Sequence, residues 1–113
     1  MNEHNPDNWV VLKIKEGKGT FPFYKVLAGW SGGYLDGASW RMNSGITSVE
    51  KQEYTYGFYG WSGSVYWCHQ SSYGLTFDTA GVYNRLRGNR QFKGQVFMMP
   101  EDTNWSDIDW RVR

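Results

Sequence analysis

Residues 10–15 read VVLKIK, and their alternation decides the class of the fold. Val10, Leu12 and Ile14 share one face while Lys13 and Lys15 take the other, which is the period of a half-buried strand and not of a helix. The neighbouring segments follow the same pattern. EGKGT (16–20) is a turn, and Pro22 limits the next strand to about Phe23–Gly29, with Tyr24, Val26 and Ala28 on one face. Asp36-Gly37 is a favoured hairpin turn because both residues tolerate positive φ. It joins a short GYL strand (33–35) to SWRMN (39–43), where Trp40 and Met42 share a face opposite Arg41. Asn43-Ser44-Gly45 is the next turn. ITSVE (46–50) follows as a strand closed by Lys51-Gln52-Glu53.

YTYGFYGW (54–61) places Tyr54, Tyr56 and Phe58 on one side and Tyr59 and Trp61 on the other. Aromatic residues on both faces indicate a central strand or one covered by a partner. SVYWCH (64–69) continues the strand pattern. Asp78 to Arg87 breaks it: Val82 and Leu86 lie one helical turn apart, Asp78 or Thr79 can cap, and Gly88 suits the position past the end. The reading is one short helix near Thr79–Arg87, weakened by Gly81. FKGQVFM (92–98) is again a strand, and DIDWRVR (107–113) alternates Ile108, Trp110 and Val112 as a terminal one. The fold class is mainly β: a small antiparallel sheet, sandwich or partly open barrel of about eight short strands with one short helix. The expected core is Val10, Leu12, Ile14, Val26, Trp40, Met42, Phe58, Val65, Val96 and Ile108.

A chain of 113 residues makes a single domain, 1–113, with 1–8 expected as a flexible N-terminus. Net charge is +1, so no global field draws the protein to bulk duplex DNA or to a membrane surface. Cys68 is the sole cysteine and the first residues lack a leader pattern, from which a cytoplasmic location is expected. Seven Trp, eight Tyr and six Phe make up 19% of the chain, more aromatic surface than one small core holds. The excess should face solvent, a ligand or another subunit, and a homo-oligomer is expected.

Gly29-Trp30-Ser31-Gly32-Gly33 matches the G-x-S-x-G of serine hydrolases, and GWSG recurs at Gly60–Gly63. A nucleophile elbow needs a helix after the serine, and a hairpin turn stands there instead. His69 with Asp36 or Asp78 is the thin set of partners available, so no catalytic residue is expected. The bland reading is that glycine supplies a bend, serine bonds the local backbone, and Trp30 and Trp61 pack at corners or form rigid platforms. Two His and one Cys cannot build a zinc site; Cys68 reads as a small core residue and His69 as a surface or hydrogen-bonded one. Glu101, Asp102, Asp107 and Asp109 lack calcium-loop spacing and read as a solvated face. No metal and no cofactor is expected.

One local bias stands out. From Thr79 to Pro100 the chain has four basic residues, Arg85, Arg87, Arg90 and Lys93, and no acid. Arginine forks suit phosphate, and Tyr83, Trp30 or Trp61 could supply a stacking face. Arg41 and Asn43, with Ser39, form a second compact polar set. The expected function is a non-enzymatic binding protein for a small phosphate-bearing ligand, a nucleotide or short oligonucleotide, as an accessory or sequestering protein of the type phages encode. The alternative is a protein–protein interaction module, an inhibitor or structural accessory subunit, anchored by exposed Trp and Tyr. Carbohydrate binding uses the same aromatic platforms, although the missing leader and lone cysteine count against its usual secreted setting.

Overall fold

The strand that carries VVLKIK spans Asn8–Ile14 (β2), and both of its faces are buried. Val10, Leu12 and Ile14 point into a cluster with Leu27, Val82 and Val96. Trp9 and Val11 point the other way, into a cluster with Tyr24, Val26, Phe58 and Trp105. A strand hidden on both faces needs a packed layer on each side, and the remaining elements supply them. The computed structural model describes residues 2–17, 21–31, 39–89 and 95–110. Besides β2, they contain β1 (Glu3–His4), β3 (Phe23–Trp30), β4 (Ser39–Met42), β5 (Ile46–Gln52), β6 (Thr55–Gly60), β7 (Val65–His69), α1 (Phe77–Arg87) and β8 (Val96–Met98).

The fold is mainly β. The strands form two four-stranded sheets, ordered β1-β7-β6-β5 and β4-β3-β2-β8. The sheets meet across the Trp9–Val11 cluster, while α1 covers the outer face of the second sheet with Val82, Tyr83 and Leu86. Pairing is antiparallel except for β1, which runs parallel to β7 with Glu3 opposite Val65. The N-terminal residues, expected as a flexible lead, thus pair with a sheet, and the Val65 N–H donates to the Asn2 carbonyl. The Asp36-Gly37 hairpin and the GYL strand lie outside the described residues.

The helix begins two residues before its expected start because Thr76, not Asp78 or Thr79, caps it. Thr76 Oγ1 accepts the Thr79 N–H, and Thr79 Oγ1 accepts the Thr76 N–H at 2.7 Å, a reciprocal box that satisfies two end groups. This cap rests on Gly29 of β3. A Cβ there would stand 2.8 Å from Thr76 Cγ2, so the first glycine of the G-x-S-x-G match serves close helix–sheet approach.

Three expectations are corrected. DIDWRVR does not continue a sheet over its described part: Trp105–Asp107 form a 3-10 turn, and 108–110 make no strand. Trp105 and Trp110 are buried all the same, so the alternation records side chains turned inward from an irregular segment. Trp40 is 45% exposed instead of core, because β4 is an edge strand of four residues. Met42 and Ile108 are only half-buried, packed against the margins of the two clusters.

Truncating Trp9, 1% exposed at the centre of the aromatic layer, should cost about 3–5 kcal/mol. Trp40→Ala should stay within about 0.5 kcal/mol of the parent. Urea denaturation midpoints of the two variants check the assignment, and equal losses would contradict it.

Candidate functional site

The first sheet turns Tyr56, Phe58, Tyr66 and Cys68 to the core on its inner face, opposite its outer face. On that outer face Trp67 of β7 lies against Gly57 of β6, its partner in register. A Cβ at Gly57 would stand 2.4 Å from Trp67 Cζ3, so only glycine lets the indole rest there. Trp67 Nε1 donates to Glu3 Oε1 at 2.7 Å, and Tyr59 meets the indole edge-on at 6.3 Å. The ring is thereby fixed in position. Next to it, Gln52 Nε2 and Tyr59 Oη donate to the two oxygens of Glu50 at 2.7 and 2.8 Å. These bonds hold the Glu50 carboxyl below its ordinary pKa and push the Tyr59 phenol above its own.

An open groove of about 510 Å³ borders Trp67. One wall is Tyr54 stacked on His69, with ring centroids 6.4 Å apart and planes 26° from parallel. Asn5, Gln52, Glu53 and Thr55 supply the polar lining. Glu53 sits at φ 47 in the tight β5–β6 connection, a left-handed position that usually goes to glycine or asparagine. From this position Glu53 joins the groove lining. His69 also organises the turn that follows: its Nδ1 accepts the Ser71 N–H at 3.2 Å and lies 2.7 Å from Ser71 Oγ.

Beyond that 3-10 turn (Gln70–Ser72) opens a second groove of about 640 Å³. Its floor is aromatic, from Trp9, Tyr56, Tyr73 and Trp105, and its rim carries Gln70, Ser71, Glu101, Asp102 and Thr103. Trp9 Nε1 donates to the His69 carbonyl at 2.7 Å, tying the core to the turn. Tyr73 Oη donates to the Met99 carbonyl and accepts the Val11 N–H. Burial, with a smaller contribution from Glu101, pushes the Tyr73 phenol up to about 12. Among the described residues, no Lys or Arg lines either groove.

The residues singled out from sequence are scattered over three other places. Arg85 and Arg87 are exposed in the last turn of α1, with the Arg87 guanidinium 5.4 Å over the Tyr83 ring. Arg90 and Lys93 lie outside the described residues. Trp30, half-buried, donates to the Asn5 carbonyl at 3.0 Å and meets His4 edge-on. Arg41 lies near the same histidine: burial first, then the Arg41 charge, holds His4 below its usual pKa. Trp61 is 52% exposed and packs on Gly45 and on Phe23 at 6.2 Å. Phe23 and Trp30 end the same strand, so Trp30 and Trp61 stand roughly 20 Å apart and cannot clasp one small ligand.

Asn43 is buried and structural. Its Oδ1 accepts the Val26 N–H at 2.8 Å, while its Nδ2 has no partner among the described residues. The Ser31 N–H donates to Asp7 Oδ2, and no described hydrogen bond joins Ser31 to His4 or His69. Sequence reasoning missed Trp67, Tyr54 and Gln52. The available signal was Gly57, a glycine inside a strand with aromatics on both faces, which marks close approach of a neighbour.

Tyr73 leads to a pH prediction. The unfolded phenol releases its proton near pH 10 and the folded one near 12, so its contribution to stability is complete below 10 and declines towards 12. Tyr24, Tyr59 and Tyr66 are shifted the same way and add to the loss. Denaturation midpoints measured across that range should fall, and Tyr73→Phe should flatten part of the fall. No helix among the described residues is long and apolar enough to cross a membrane. Comparison of the chain with protein-family models, with curated proteins and with solved structures returns no match.

Proposed function

We propose that this chain is a non-enzymatic binding protein whose Trp67 groove takes a saccharide. The observation that carries the reading is the fixed indole beside amide, hydroxyl and carboxylate groups, with no Lys or Arg among the described lining residues. A pyranose presents an apolar C–H face, which suits a flat aromatic ring, and a rim of hydroxyls that both donate and accept. Asn5, Gln52 and Thr55 offer both roles, and Glu53 accepts. Trp67 is already held by Gly57 and Glu3, so little side-chain freedom is lost on binding. A phosphate in this groove would face the Glu53 carboxylate, with no Lys or Arg among the described lining residues to offset it.

A phosphate-bearing ligand remains the second reading, at a different place. Arg87 and Tyr83 form a stacked cationic and aromatic pair at the exposed end of α1, beside Arg85 and leading towards Arg90 and Lys93. Self-association through the exposed Trp40 and Phe77 is the homo-oligomer reading, measured by sedimentation.

Calorimetric titration against neutral oligosaccharides and against mono-, di- and cyclic nucleotides separates the two ligand classes. We expect saccharide binding between about 10 μM and 1 mM, equivalent to roughly −7 to −4 kcal/mol. Trp67→Ala should weaken it at least tenfold, about 1.4 kcal/mol. Asn5→Ala, an exposed position, should weaken it without altering the denaturation midpoint. Nucleotide binding that disappears in Arg85→Ala/Arg87→Ala, with no response to saccharides, would replace this reading with the second.

A further inference from the structure

The two grooves are neighbours, and their separation is bounded by the chain itself. His69 lines the first and Gln70 and Ser71 line the second. Trp67 and Ser71 are four residues apart, so their Cα atoms lie at most about 14 Å from one another. The crest between the grooves is built to hold its shape. The Gln70 N–H donates to the Tyr54 carbonyl at 2.7 Å, Tyr54 stacks on His69, and His69 Nδ1 lies 2.7 Å from Ser71 Oγ. Tyr54 itself is 61% exposed at the top of this crest.

The second groove carries the same chemistry as the first: aromatic rings below, with amide, hydroxyl and carboxylate groups above and no Lys or Arg among the described lining residues. Gln70, Glu101 and Asp102 are exposed, and among the described residues no hydrogen bond or ion pair engages their side chains. Each groove falls within the size range of a single small-ligand site. A mono- or disaccharide is accommodated in one of them; a longer oligosaccharide reaches both.

We infer that the ligand is an oligosaccharide without negative charge that lies over the Tyr54–His69 crest, with one end on Trp67 and the other between Tyr73 and the Glu101–Asp102 rim. This rests on the Trp67 groove being a saccharide site. Once one end is bound, the second groove meets the other end at high effective concentration, so affinity should rise steeply with chain length. A glycan bearing carboxylates or sulfates would place like charges against Glu53, Glu101 and Asp102 and should bind less well than its neutral counterpart.

The test is a calorimetric length series, from disaccharide to hexasaccharide, in the cello-, malto- and N-acetylated chito-oligosaccharide families, with sulfated hexasaccharides as the charged arm. For the family that binds, the hexasaccharide should bind at least tenfold more tightly than the disaccharide. Glu101→Gln/Asp102→Asn exchanges two solvent-facing groups and should bring the hexasaccharide back to disaccharide affinity, while disaccharide binding on Trp67 keeps its value. Gln70→Ala should lower hexasaccharide affinity in the same direction. Equal affinities along the series, or a hexasaccharide indifferent to the Gln70 and Glu101/Asp102 exchanges, overturn the two-groove arrangement and leave the Trp67 site standing. No binding by any family overturns both.

Discussion

A strand can bury both faces only if a layer lies on each side of it, and β2 buries both. Its Val10, Leu12 and Ile14 face draws α1 onto one side of the sheet, and its Trp9 and Val11 face draws the other sheet onto the opposite side. Trp9 sets the spacing of that second interface. Its indole contacts Phe58 at 5.4 Å, Trp105 at 5.7 Å and Tyr73 at 4.7 Å, a set of tilted and edge-on rings. Much of the aromatic excess in the composition is absorbed here, between the sheets, with Tyr24 and Trp110 completing the layer.

The same side chain links the core to the surface. Trp9 Nε1 holds the His69 carbonyl, so the 3-10 turn carrying Gln70 and Ser71 is anchored to the middle of the protein. Tyr73 repeats the link one step further along, bridging Val11 and the Met99 carbonyl. The grooves therefore sit on short irregular segments that rigid layers position, the arrangement that lets a loop present groups with defined geometry. The face of β6 and β7 turned away from the aromatic layer carries Tyr59 and Trp67, both half-buried. Trp67 lies there against Gly57, which has no side chain to displace it.

Most strands were legible because alternation is a local property: each residue's face follows from its neighbours in the chain. Pro22 marked a strand start for a similarly local reason, its fixed φ, and Gly88 does follow the helix end, although at φ −84 it takes a conformation open to any residue. DIDWRVR misled because Ile108 and Trp110 are packed by the aromatic layer and not by strand partners, and alternation cannot tell these apart. The basic window of Arg85, Arg87, Arg90 and Lys93 showed a charge bias, but not whether a concave surface lay beside it. Two grooves lined by described residues lie elsewhere, around Trp67 and Tyr73.

The amino-acid sequence alone determined a small β-rich domain with one short helix, the inward faces of β2 and β3, and a buried unpaired cysteine at Cys68. Each follows from periodicity, turn chemistry or residue type, which depend on near neighbours. Tertiary structure alone decided that β2 is covered on both sides, that Gly29 makes room for a helix cap, and that Gly57 makes room for Trp67. It also brought Asn5 and Glu3, at one end of the chain, beside Gln52 and Trp67. Those outcomes depend on what lies across each face, a contact between distant segments that no local pattern encodes.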